Sequence, residues 1–320
     1  MKKKIVIGEA ISPIVSQDGS QMLDLRPSEW KALMRSTWRS LQRDPSTEKL
    51  YKREVAYFGG VLASHSVAAP IRFQAKLKEL VNEKREVMLL HRERSFKKKA
   101  YSYGTSFEYV FRYQPHMVDL SVVDTYVELF ELSLLLGGIG LRSRRGRGAV
   151  SPKRIVEGKE RDVLIGETAE EVAEEIFQKI IRIDQNAPFA RNETIIYRTV
   201  NDASRVKYPV LEKIEVGQPI GDDVTSFLKR VDQTSHHVKK HAEKNGLPGN
   251  CGFLTGEGGT SRFSSSLVVT LVRSGMNIYP LYVQLRAVKG NRVLNASPER
   301  DNRIEFINQL EGRKSTWKNN

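Results

Sequence analysis

One cysteine, Cys251, is all that the 320 residues contain. That excludes a disulfide framework and fits a reducing compartment. No apolar run approaches the ~20 residues that a membrane helix requires. The longest, Leu132 to Leu141, is interrupted by Gly137, Gly138 and Gly140. Behind the basic start Met1-Lys2-Lys3-Lys4, only Ile5-Val6-Ile7 is apolar, too short for a signal-peptide core. The expectation is a soluble, cytoplasmic protein with no membrane partner. Acidic residues are also in deficit: the net charge is +14 and the pI about 9.7. An anionic partner follows, with nucleic acid ahead of a membrane surface because the basic residues cluster.

The acidic deficit is sharpest at residues 137–148, Gly137-Gly138-Ile139-Gly140-Leu141-Arg142-Ser143-Arg144-Arg145-Gly146-Arg147-Gly148. Five glycines and four arginines stand there with no carboxylate. Glycine permits positive φ and close approach of backbone to a ligand, and guanidinium forks suit phosphate oxygens. A solvated surface loop is the plainer alternative. The segment is pinned, however, between a helical stretch, Asp119 to Leu136, and a strand-like run, Gly148 to Val156. A second basic element begins at Arg26-Pro27-Ser28, where proline opens a helix and Ser28 can cap it. Trp30, Leu33, Met34, Thr37, Trp38 and Leu41 give that helix its buried face. Lys31, Arg35 and Arg39 recur every fourth residue, a rise of ~6 Å per step that resembles phosphate spacing. They fit either a phosphate-binding face or a solvated basic one.

Strand character at Lys2 to Ile7, Val67 to Phe73, Val87 to His91 and Phe107 to Tyr113 completes the first half. The segment from Arg92 to Tyr103 interleaves basic and aromatic residues. It reads as a nucleic-acid grip or as a mobile hairpin loop. The order strand, helix, strands, helix, strand is the ferredoxin-like β-α-β-β-α-β plan, on whose sheet many modules present RNA. Composition shifts near residue 160. An acidic helix over Glu167 to Ile183, a strand over Tyr208 to Val216 and a long helix over Asp222 to Asn245 follow. Beyond a second glycine-rich stretch, Leu247 to Ser261, come paired strands, Phe263 to Val272 and Ile278 to Val288. A last helix runs through Ile304 and Leu310, and Gly312 to Asn320 reads as a frayed basic tail. The fold expected is α+β: two ferredoxin-like domains, 1–160 and 161–320, with long loop and helical insertions.

No catalytic set assembles. His237 and His241 stand one turn apart, but Val238 occupies the position where a metalloprotease motif has glutamate, and no second cysteine supports a zinc site. No metal and no cofactor is expected. Gly138-Ile139-Gly140 lacks the third glycine of a dinucleotide fingerprint, and Gly256 to Ser261 lacks the lysine of a nucleotide phosphate loop. Ser264-Ser265-Ser266 has no nucleophile-elbow context. A metal-independent ribonuclease needs only an acid–base group near a bound phosphate, and His65, His91 and His116 keep that alternative open.

The motif Arg26-Pro27-Ser28-x-x-Lys31-x-x-x-Arg35-x-x-Trp38-Arg39, followed by Gly137-Gly138-Ile139-Gly140-x-Arg142-Ser143-Arg144-Arg145-Gly146-x-Gly148, resembles the RAMP superfamily of CRISPR proteins. It is most similar to the first RAMP subunit of type III-B (Cmr) effector complexes. Arg262 to Ser266 with Tyr279-Pro280-Leu281, and Tyr208-Pro209-Val210, are similar to that subunit's second-domain pattern. Ala32 replaces a common glycine of the family, and Arg147 a common aromatic. The resemblance implies a non-catalytic subunit that caps the complex at the guide RNA's 3′ side and helps capture target RNA, beside other Cmr subunits. A guide-processing endoribonuclease of the same superfamily is the alternative. The residues expected to contact RNA are Arg26, Lys31, Arg35, Arg39, Gly138, Gly140, Arg142, Arg144, Arg145, Gly146, Arg147 and Gly148, with Arg262 as a second-domain candidate. The α-helical and glycine-rich sets are expected to converge on one RNA backbone.

Overall fold

A computed structural model describes residues 1–320 apart from 19, 21, 25, 82–84, 92–93, 203–204, 207, 222, 245–253, 256–260, 263, 290–291, 294–300 and 318–320. The first half runs β1 (Lys2–Ala10), α1 (Pro27–Leu41), α2 (Thr47–Phe58), β2 (Gly60–Leu62), β3 (His65–Val67), β4 (Arg72–Glu79), β5 (Arg85–His91), β6 (Arg94–Ala100), β7 (Ser106–Tyr113), α3 (Leu120–Leu136), β8 (Val150–Val156) and β9 (Lys159–Asp162). The second runs α4 (Ala169–Ile183), β10 (Phe189–Asn192), β11 (Ile195–Arg198), β12 (Leu211–Val216), α5 (Val224–Lys244), β13 (Leu254–Thr255), β14 (Ser261–Arg262), β15 (Leu267–Ser274), β16 (Asn277–Leu285), β17 (Val288–Lys289), β18 (Arg292–Val293) and α6 (Asn302–Leu310). The fold is α+β, with two five-stranded antiparallel sheets ordered β4-β7-β1-β8-β9 and β10-β11-β12-β16-β15.

Alternation along the strands decides which face of the first sheet is covered. Val6, Phe73, Phe107, Tyr109 and Phe111 point to one side and are buried there. Trp30 of α1 meets Tyr109 edge-on at 4.9 Å, and Phe130 of α3 meets the same ring at 4.8 Å. Such tilted contacts suit the ring quadrupoles. The opposite face carries ion pairs, among them Lys76–Glu108 at 2.7 Å and Lys153–Glu9 at 2.6 Å. The buried side chains of Ile7 and Val110 lie on that face as well, so it is mixed, part charged and part apolar. The apolar core continues from this half into Val172, Ile176, Ile196, Ile214, Val268 and Val283 of the second. Between the halves, buried Lys179 of α4 donates to Glu131 of α3 at 2.5 Å and to Glu128 at 2.6 Å, while Arg154 of β8 donates to Glu131 at 2.6 Å. The boundary expected between residues 160 and 161 falls inside β9, which pairs with β8.

Several local expectations need correction. Ser28 does not cap α1: the helix begins at Pro27, and Arg26 is its extended N-cap with no side-chain hydrogen bond. The strand expected over Val67 to Phe73 is divided, because Pro70, which has no N–H to pair, separates β3 from β4. Of the strand expected over Phe263 to Val272, Phe263 lies outside the described residues and β15 begins at Leu267. The basic–aromatic run after Arg92 is a strand from Arg94, paired with β5. Its Tyr101 is buried and bonded through its backbone to Ile14, so it offers no base-stacking face. The tail is docked as far as Trp317. The Ser315 hydroxyl and the Thr316 amide donate to buried Glu305, and Trp317 stacks on His241 at 3.6 Å.

Candidate nucleic-acid interface

The glycine-rich loop leaves α3 at Gly137 and returns to the first sheet at β8. Gly140 and Gly148 are demanded by the protein's own backbone. Gly140 has φ +77, and a Cβ there would lie 2.3 Å from the Val15 carbonyl oxygen; Gly148 has φ +73, and a Cβ would lie 1.9 Å from the Ile139 oxygen. Neither contact tolerates a side chain. The loop is thus threaded against Pro13 and Val15, which accept from the Gly148 and Leu141 amides.

The loop arginines reach into the second half. Arg147 is 3% exposed and donates both terminal nitrogens to Asp232 of α5, at 3.0 and 2.7 Å. Arg142 donates to the same carboxylate at 2.9 Å. Arg145 donates to the Ser235 hydroxyl at 3.0 Å and to the Leu267 carbonyl at 3.2 Å, and its guanidinium lies 5.3 Å from the Phe306 ring centroid. Gly146 bonds through its amide to Val269, so the loop and β15 are joined by main chain as well. Arg144 differs. It donates to the Ser265 carbonyl and, among the described residues, meets no carboxylate. Burial pulls its pKa below the ordinary guanidinium value, the signature of a cation whose lost hydration is not repaid by a counter-charge.

The basic residues of α1 do not share one target. Arg39 chelates Glu54 of α2, one bond being 2.8 Å, and the Glu54 side chain is 2% exposed. Arg35 donates to the Gly59 carbonyl at 2.5 Å and lies 3.6 Å from Glu54. Both are occupied in holding α2. Arg26 donates to Glu29, and Lys31 stands half-buried on the helix. The face of α1 turned toward the loop is instead Ala32, Leu33, Ser36, Thr37 and Ser40. Helix and loop do converge, through different residues from those the basic spacing singles out.

Between them lies a cleft of about 730 Å³. Its floor is apolar, made by Val268, Val283 and Leu285 of the second sheet with Leu136 and Ile139, and its rim carries Arg26, Lys98 and Arg144. Gly138 and Gly140 form part of one wall. Glu29 and Asp18 also border it: Glu29 accepts from the Ser16 hydroxyl at 2.9 Å and from Arg26, and Asp18 accepts the Ser20 and Met22 amides of a turn at 2.9 Å each. Of the expected RNA contacts, then, Arg26, Gly138, Gly140 and Arg144 line one cavity. Arg142, Arg145, Gly146, Arg147 and Gly148 lie behind it, and Lys31, Arg35 and Arg39 lie off it. Arg262 pairs through its backbone with Leu254, and its side chain lies outside the described residues, as do Cys251 and Gly256 to Thr260. Lys98 belongs to the basic run flagged in the sequence, whereas nothing in the spacing of Ser36, Thr37 and Ser40 marks them as a cavity wall. His237 lies 3.1 Å from the Gln309 side chain and His241 against Trp317. His65 and His116 are exposed, and no histidine among the described residues borders the cleft.

No family model matches the sequence, and no curated protein matches it. Solved structures do, and over nearly the whole chain: the protein shares its fold with Cmr1 and with a chain of type III-B Cmr-beta complexes. Apo Cmr1 from Pyrococcus furiosus aligns over 99% of this chain and 99% of its own, with TM-score 0.56 and 15% identity. A chain of the type III-B Cmr-beta complex bound to cognate target RNA aligns over 96% of this chain and 100% of its own, with TM-score 0.55 and 12% identity. A further Cmr-beta structure, with cognate target RNA, AMPPnP and single-stranded DNA, gives TM-score 0.55 at 11% identity, over 97% of this chain and 99% of that one.

Proposed function

We propose that this chain is a non-catalytic, RNA-binding subunit of a type III-B CRISPR effector complex. It caps the assembly at the guide RNA's 3′ side, helps to capture target RNA and contacts neighbouring Cmr subunits. Both halves are then ferredoxin-like. The first has its four principal strands in the order β4-β7-β1-β8 with α1 and α3 as crossovers. The second is permuted: β12, α5, β15, β16 and α6 follow the plan, and β11, which precedes them in the chain, takes the place of the closing strand.

The observation that carries this reading is Arg144, a half-buried cation that, among the described residues, meets no carboxylate, at the edge of a cleft that two other cations share. A phosphate would supply the missing charge with strong charge-assisted bonds. Arg26, Lys98 and Arg144 are assigned to phosphates, while Arg35, Arg39, Arg142, Arg145 and Arg147 hold the walls that present them. Filter binding of single-stranded RNA across a salt series tests the assignment. Replacing Arg144 by Gln should weaken binding and reduce the log–log salt slope by about 0.7, the value for one phosphate contact on single strands. Unchanged affinity and slope would refute it.

A further inference from the structure

The cleft holds more apolar surface than phosphate binding requires. Building on the RNA-binding reading, we propose that it is a nucleobase pocket: one unpaired RNA nucleotide inserts its base between α1 and the second sheet, with its flanking phosphates on Arg26, Lys98 and Arg144. The volume of about 730 Å³ falls within the range of about 300–1,000 Å³ typical of small-molecule sites. Leu33 and Leu136 from the first half and Val268, Val283 and Leu285 from the second provide aliphatic surfaces for the flat faces of a base. The hydroxyls of Ser36 and Thr37 on the α1 wall provide polar groups for a base edge. The cations come from three separate segments, the start of α1, strand β6 and the glycine-rich loop, and all three border the cleft. A paired base cannot enter, because its edges are engaged and its faces stacked; single strands can splay a base out.

The experiment compares two RNA oligomers of equal length and charge, one of mixed sequence and one built of abasic ribose phosphates, binding to the full chain. The intact oligomer should bind about tenfold more tightly, toward the lower end of the effect of burying one base. Ser36→Trp, on the exposed side of α1, fills the cleft. It should reduce that ratio below twofold while leaving the salt slope unchanged, and Ser121→Trp, exposed on α3 and outside the cleft, should retain the ratio. Equal binding of the two oligomers by the unaltered protein, with salt dependence intact, overturns the base pocket and leaves the RNA-binding reading standing. Absence of binding to both overturns the RNA-binding reading itself. If Ser36→Trp blocks association with Cmr subunits and leaves the oligomer ratio unchanged, the cleft is a protein-docking site and the proposal fails.

Discussion

Replacing Asp232 by Ala should be among the most damaging single changes in this protein. The Asp232 side chain is 3% exposed, as is that of Arg147, and it accepts three hydrogen bonds of 2.7–3.0 Å from Arg147 and Arg142. Removing the carboxylate strands the Arg147 cation in the interior. Arg142, with 19% of its side chain exposed, can still reach water. Breaking a buried pair from one side costs about 3–5 kcal/mol, against a total stability of ordinary domains of about 5–15 kcal/mol. Urea unfolding of the full chain at neutral pH, followed by tryptophan fluorescence, measures the loss. The origin of the penalty can be isolated by adding Arg147→Met, which removes the stranded charge and keeps much of the volume. The double variant should recover at least about 1 kcal/mol relative to Asp232→Ala, a coupling that independent sites do not show. A loss below about 1 kcal/mol for Asp232→Ala, or no recovery in the double variant, would refute the view that this carboxylate is the counter-charge of the loop.

Other expectations are simpler. Gly148→Ala should cost at least about 1–2 kcal/mol from the left-handed backbone alone, and more because its Cβ would overlap the Ile139 oxygen; a lowered urea midpoint checks this, whereas Gly158→Ala, at φ +75 with nothing near the Cβ, should show only the backbone cost. Glu128 provides a pH test. Burial alone would raise its pKa, but Lys179 and Arg154 outweigh that and hold it down to about 2. The folded value lies below the ordinary 4.5, so its stabilisation is complete above that pH and drains away as pH falls toward about 2. The contribution is at most about 3 kcal/mol, and Glu128→Gln should flatten that part of a stability–pH curve. Deleting residues 313–320 should also destabilise the fold, since buried Glu305 loses the Ser315 and Thr316 donors; an unchanged melting temperature would contradict the docked tail.

Periodicity made the helices readable. The stripe from Trp30 to Leu41, the apolar run from Leu120 to Leu136 and the acidic pattern of α4 are local signals, and they fall where the structure has α1, α3 and α4. The site was legible only in outline. Spacing by four places Lys31, Arg35 and Arg39 along a helix, yet what Arg35 and Arg39 face depends on Glu54, which is brought there by the turn before α2. Glycines at 140 and 148 announce unusual backbone, but not that the crowding atoms are the chain's own carbonyls. The partners of Arg142, Arg145 and Arg147 lie some 85 to 122 positions downstream, a distance at which one sequence carries no pairing signal. The cavity is likewise a product of packing between distant segments, and Val268, Val283 and Leu285 of its floor read simply as strand interior.

The continuity of the apolar interior across both halves has a practical meaning for anyone dividing this molecule. Cutting near residue 160 would sever a hairpin and expose to water the surface that α3 and α4 bury together, so neither fragment should survive alone. Thermal unfolding should accordingly proceed as one cooperative event. On the proposed function, an incoming RNA strand would then meet a surface whose shape is set before it arrives, not one assembled by the closing of two hinged lobes.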